Sequence, residues 1–127
     1  MINTIAAIAL GGALGAISRY GVNLGTVKLL GHGFPYGTMI ANISGSFAMG
    51  LLIALFAQYW QPSETMRLFL ITGFLGAFTT FSTFSIDFAN LWERQAYLHS
   101  TVYLGGSVVL SIAGLFIGMA LVRAFVS

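Results

Sequence analysis

The chain has 127 residues, of which 57% are hydrophobic and only 6% charged, with a formal charge of +2. An ordinary soluble domain carries about 25% charged residues, so this composition excludes a soluble fold, and the mean hydropathy of +0.91 agrees. The small charge gives no reason to expect nucleic acid, and the absence of cysteine excludes disulfides and thiolate metal sites.

One spanning helix needs roughly 20 apolar residues, so the length has room for four spans and no soluble domain. The first lysine or arginine is Arg19, too late for the basic region that opens a signal peptide, so the first span is expected to be retained. Span 1 is predicted over residues 2–24. Gly11 and Gly15 lie four apart in it, with Gly12 and Ala16 one step round. Small residues at that spacing let helix backbones approach closely in lipid. Arg19 and Asn23 share one face near its end. Residues 25–36 hold Lys28, His32 and Pro35 and read as an interfacial turn.

Span 2 is predicted over 37–59. Gly37, Ala41 and Gly45 form one small-residue stripe, and Asn42, Ser46 and Gly50 form another. An asparagine buried among apolar residues needs a partner. Tyr59 and Trp60 suit an interfacial aromatic belt, and Ser63 is placed to cap the next helix. Span 3 is predicted over 65–91. Its stretch from Gly73 to Ser85 packs two glycines, three threonines, two serines and four phenylalanines into thirteen positions. Hydroxyl side chains compete for the backbone and glycine loosens it, so a broken helix is expected here. A break inside a bilayer survives only when buried in protein or lining a cavity. Asp87 is the acid set within an apolar stretch, to be paired with Arg94 or with a group on another helix. Span 4 is predicted over 101–125. Tyr103, Ser107 and Ser111 follow one another at four-residue steps, a phenol and two hydroxyls on one face.

Basic residues divide almost evenly between the two sides. Arg67 and Arg123 lie with the termini, and Arg19, Lys28 and Arg94 lie opposite when Arg19 is counted outside the membrane. Basic-residue bias sets orientation, so the chain is expected to insert both ways round. Both orientations then pair as an antiparallel dimer.

Three segments stand out together: Gly-Ala-Ile-Ser-Arg-Tyr at 15–20, Gly-Thr-Met-Ile-Ala-Asn-Ile-Ser-Gly-Ser-Phe at 37–47, and Gly-Ala-Phe-Thr-Thr-Phe-Ser-Thr-Phe-Ser at 76–85. In these segments, their order and their spacing, the chain resembles the Fluc-type fluoride channels of bacteria and archaea. Ala77 departs from the second glycine that many relatives have there. The resemblance implies an all-α, four-span, dual-topology antiparallel homodimer in the bacterial inner membrane, with two fluoride pores and a central structural sodium ion. It assigns the sodium to the backbone carbonyls of Gly76 and Thr79. It assigns the pore to Asn42, Phe81, Phe84 and the span 4 hydroxyls of Tyr103, Ser107 and Ser111.

The chemistry of those residues fits that task. Fluoride has a costly hydration shell, and a pore must replace it with weak donors in sequence, holding the ion loosely enough to leave. An asparagine amide, hydroxyls and the positive ring edges of Phe81 and Phe84 meet that need without a fixed cation. Ser82 and Thr83 are further candidate donors. A broken helix frees carbonyls, and a hard monovalent cation suits them.

Each residue also has a plainer reading. Phe81 and Phe84 alone would be packing residues. Asn42 would be a hydrogen-bonding link between helices. The span 4 hydroxyls would bond to their own helix. Arg19 either snorkels to the headgroups or attracts anions at a vestibule. His32 and His99 show no metal-ligand spacing. A small four-span proton-coupled multidrug exporter is the competing function, but it needs a membrane-embedded carboxylate; such exporters carry it in the first span, no acid precedes Glu64 here, and Asp87, the one candidate, lies close to a span end. A non-transporting assembly protein would need neither the break nor the polar track. An enzyme is not expected, because no acid–base pair, nucleophile elbow or phosphate loop is present.

Overall fold

A computed structural model describes residues 1–126. They form four helical passes without a strand among the described residues. The first pass is α1 (Ile2–Leu30) and the second α2 (Tyr36–Gln58). The third is composite. It comprises α3 (Glu64–Arg67), a π-helical segment Leu68–Leu75, α4 (Gly76–Phe78) and α5 (Ser82–Glu93). The fourth is α6 (Tyr97–Val126).

The ends follow from local chemistry. Helix α1 stops where Gly31 takes φ 84° and sends its N–H back to the Val27 carbonyl at 2.9 Å. That left-handed backbone suits glycine. Pro35 then precedes α2. The Ser63 hydroxyl accepts the Met66 N–H at 3.1 Å, so the expected cap of the third pass is present. Two expected boundaries are corrected. Residues 25–30 are helix and not part of an interfacial turn, because nothing in Gly25–Leu30 removes an amide donor or forces a positive φ before Gly31. The fourth helix begins at Tyr97, before the expected residue 101, with the turn made by Gln95 at φ 61°.

Close backbone contacts hold the passes together. Helix α1 packs on the π segment and α2 on α6. A Cβ on Gly11 would meet the Phe69 carbonyl, and one on Gly15 the Phe74 carbonyl. On the other pair, Gly50 faces the Leu115 carbonyl and Gly118 the Phe47 carbonyl. Glycine is what allows these approaches in lipid, where dispersion and polar contacts replace the hydrophobic drive between helices. Outward-facing Leu10, Ile17, Val109 and Phe116 are exposed, as lipid-facing side chains are.

The π segment feeds directly into the interruption of the third pass. π turns within helices are frequent at functional sites. The Gly76 N–H reaches the Ile71 carbonyl, five residues back, as well as Gly73. Three residues later the chain leaves the helix: Thr79 is extended, at φ −88°, ψ 154°, and helix resumes only at Ser82.

Candidate functional site

The interruption is held open by side chains that capture its backbone. The Thr80 N–H donates to Asn42 Oδ1 at 2.7 Å, and Asn42 Nδ2 donates to the Thr80 carbonyl at 3.0 Å. In a continuous helix that N–H would serve Gly76. One turn on, the Thr83 N–H donates to Thr80 Oγ1 at 3.1 Å, where the Thr79 carbonyl would be its helical partner. Gly76 and Thr79 therefore both lose their helical donors. The Thr79 hydroxyl meanwhile donates to the Leu75 carbonyl at 2.8 Å, the back-bonding that weakens a helix at hydroxyl residues.

Arginine supplies a third capture. Arg19 Nε donates to the Ala77 carbonyl at 3.0 Å. The snorkelling alternative is thereby corrected: the side chain turns inward to a carbonyl that the interruption has freed. At 1.5 Å per residue, Arg19 lies about 16 Å along α1 from its end at Leu30.

A cavity of about 400 Å³ opens beside the interruption. Asn42, Thr79, Phe81, Phe84, Ser107 and Ser111 line it, with Ser46 and Thr80 among its other polar walls. Its lining holds no charged side chain. The rings of Phe81 and Phe84 sit 5.7 Å apart at 47°. They differ sharply in setting, for Phe81 is 78% exposed and Phe84 only 6%. Ser107 is buried, and its Oγ has no hydrogen-bond partner among the described residues. A buried hydroxyl without a partner costs about 1–3 kcal/mol, which a polar ligand in the cavity would offset.

The other expected site residues lie elsewhere. Thr83 lines a second, smaller cavity of about 180 Å³ with Arg19, Asn23 and Thr38. Ser82 is exposed, its hydroxyl 3.5 Å from Thr80 Oγ1. Gly76 is exposed as well. Tyr103 shares the helical face of Ser107 and Ser111 but is fully buried, and its hydroxyl donates to Asp87 Oδ2 at 3.1 Å. Of the two partners expected for Asp87, the one on another helix is the one it has. Arg94 Nη2 donates instead to the Gly33 carbonyl at 3.4 Å.

Sequence reasoning missed the role of Thr80, whose amide, carbonyl and hydroxyl all take part in holding the interruption. It also missed the Ala77 carbonyl as the partner of Arg19. The available signal was the need of Asn42 for a partner. The identity of that partner, 38 positions away, was not readable.

Residues 6–119 match the model of a family described as CrcB-like protein, Camphor Resistance (CrcB). Among curated proteins, the chain is 49% identical over 123 residues to the fluoride-specific ion channel FluC of Rhodospirillum centenum, covering 97% of this chain and 98% of that protein. It is 51% identical over 123 residues to the protein of the same name from Agrobacterium fabrum, with the same coverage of 97% and 98%. Against that of Cereibacter sphaeroides it is 48% identical over 127 residues, all of both chains.

Proposed function

The chain belongs to the CrcB-like family, and from that premise we propose that it is a fluoride channel that lets the ion leave the cell passively. The relatives named as fluoride-specific channels match it nearly end to end. The observation that carries the reading is the cavity at the interruption, lined by an amide, hydroxyls and two phenylalanine rings and by no charge. Fluoride there trades water for ring edges and weak donors, so it is held without being trapped. Asn42, Phe81, Phe84, Ser107 and Ser111 carry that exchange in this reading. Tyr103 contributes its ring, since its hydroxyl is committed to Asp87. Ser82 and Thr83 belong to the approaches. Arg19 sits in the second cavity as a vestibule cation, raising the local anion concentration without facing the narrow part.

The same reading asks for a second copy. Gly76 is exposed in the middle of the third pass, with its carbonyl deprived of a helical donor. Lipid cannot satisfy such a group. An antiparallel partner presenting the same surface would bring together four carbonyl oxygens, from Gly76 and Thr79 of each copy. These are hard, neutral donors, and they fit a sodium ion. The bound ion would add structural cross-linking and positive potential near the anion path. We place the dimer in the bacterial inner membrane, where fluoride that enters as the neutral acid and ionises must be released. A proton-coupled exporter finds no carboxylate among the cavity's lining residues.

The test is efflux from liposomes that contain this protein alone, followed with a fluoride electrode. Fluoride leaves at channel rates and chloride does not. Absence of fluoride flux, or equal flux of chloride, overturns the proposal.

A further inference from the structure

We propose that Phe34, in the connector between α1 and α2, is a positioning residue for the pore, holding the Tyr103 ring so that its hydroxyl stays on Asp87. This inference rests on the fluoride-channel reading above. Phe34 belongs to no helix, yet it is half-buried and packs on the buried cluster of Phe84, Leu91 and Tyr103. Its ring meets Tyr103 edge-on, 5.6 Å away at 90°, one of the two geometries that aromatic pairs favour. Tyr36 and His99 flank it at 4.9 and 6.0 Å.

The connector that carries Phe34 is pinned. Pro35 has φ −79° and ψ 65°, and the Tyr36 N–H returns to the Phe34 carbonyl at 2.8 Å. That is a three-residue inverse turn. Arg94 ties the preceding carbonyl, that of Gly33, to the far connector. A loop so restrained presents its aromatic ring in one place.

From there, ring follows ring into the cavity. Tyr103 lies 5.1 Å from Phe84, and Phe84 lies 5.7 Å from Phe81. Phe34 closes the outer end of that column. Without it, the Tyr103 ring gains room on the connector side, and its hydroxyl no longer stays on Asp87. Asp87 itself opens on a separate cavity with His32 and Arg94, so what reaches the pore is the loose ring: Tyr103 shifts against Phe84, its next neighbour in the column, and Phe84 no longer holds its edge toward the cavity it lines. Phe34 thus aims a pore ring without touching the anion.

Simple packing would predict a different outcome, and a double-mutant cycle separates the two. Phe34→Ala, Phe34→Leu and Phe34→Tyr are made in the full chain, each with and without Tyr103→Phe. Initial fluoride efflux is read from liposomes. Phe34→Ala and the bulk-preserving Phe34→Leu lower efflux about tenfold, the upper scale of one aromatic pair, while Phe34→Tyr restores the ring and the rate. In the Tyr103→Phe background, which has no hydroxyl to hold, Phe34→Leu has no further effect. A wild-type rate for Phe34→Leu, or the same fractional loss with and without the Tyr103 hydroxyl, overturns the inference. A wild-type protein that carries no fluoride removes the channel reading, and this inference with it.

Discussion

Removing the Asn42 amide should do two separable things, because Asn42 closes a two-bond clamp on Thr80. Asn42→Ala leaves the Thr80 N–H and carbonyl without those partners. Interhelical hydrogen bonds in membrane proteins average about 0.6 kcal/mol and reach about 1.7, so two of them amount to about 1–3 kcal/mol. The larger penalty of a sealed, unsatisfied pair does not apply, since Thr80 lines an open cavity that water can enter. The second effect is geometric. With its competitor gone, the Thr80 N–H returns to the Gly76 carbonyl and the helix heals by one bond. We therefore expect a modest loss of thermal stability in detergent and a fall in fluoride efflux of at least about a hundredfold, more than the lost stability explains. Asn42→Asp discriminates further. It keeps an acceptor for the Thr80 N–H but sets a carboxylate against the Thr80 carbonyl and inside an uncharged cavity, so it abolishes flux. Wild-type efflux in Asn42→Ala, or conduction by Asn42→Asp, would refute the account of this cavity.

Other outcomes are equally specific. Phe84→Ile and Phe81→Ile keep bulk and lose the ring edge; each lowers fluoride efflux more than tenfold while elution from a sizing column is unchanged, and unaltered flux in both removes the aromatic argument. Gly50→Ala drives a Cβ into the Leu115 carbonyl at the α2–α6 contact, so it costs about 1–3 kcal/mol and lowers the melting temperature. A Gly50→Ala protein as stable as wild type would show that α2 and α6 can part freely. Exhaustive exchange of sodium for a large organic cation abolishes efflux and loosens the dimer, seen as a shift to monomer in detergent. Full activity with the dimer retained counts against the carbonyl-bound ion.

How much of this was readable beforehand depended on whether a feature is local. Four passes followed from hydropathy, because a chain with so few charges has nowhere else to put its apolar residues. The Ser63 cap was visible for the same reason, since donor and acceptor lie within one turn. The helical course of residues 25–30 was hidden because glycine and lysine mark connectors in water yet cost little in a helix already held by its apolar face. Nothing in Leu68–Leu75 sets a π turn apart from an ordinary apolar helix. That segment takes its shape where α1 lets two backbones touch at Gly11 and Gly15. Partners distant in sequence were the least readable. The span 4 hydroxyls formed one stripe in sequence, but Tyr103 turned to Asp87 while Ser107 was left without a partner. One helical face can meet an acid at one level and an open cavity at the next.

The placement of Arg19 sharpens the expectation about orientation. Counted outside the membrane, it made the basic residues three against two. Its side chain instead ends on the Ala77 carbonyl, about 16 Å inside the end of α1. A cation spent on an internal carbonyl does not vote in the positive-inside balance, which counts residues near the ends of the spans. What remains is Arg67 and Arg123 on the side of the termini, against Lys28 and Arg94 on the other. That is parity, and parity makes single changes decisive. Lys28→Gln should direct the termini to the cytoplasm, and Arg123→Gln should direct them outward. Reporter fusions at the C-terminus read both cases. If the antiparallel pairing is right, neither variant alone protects cells from fluoride, while the two expressed together do. A wild-type chain with one fixed orientation, or full protection by Lys28→Gln expressed alone, would leave the four-carbonyl site without its second half.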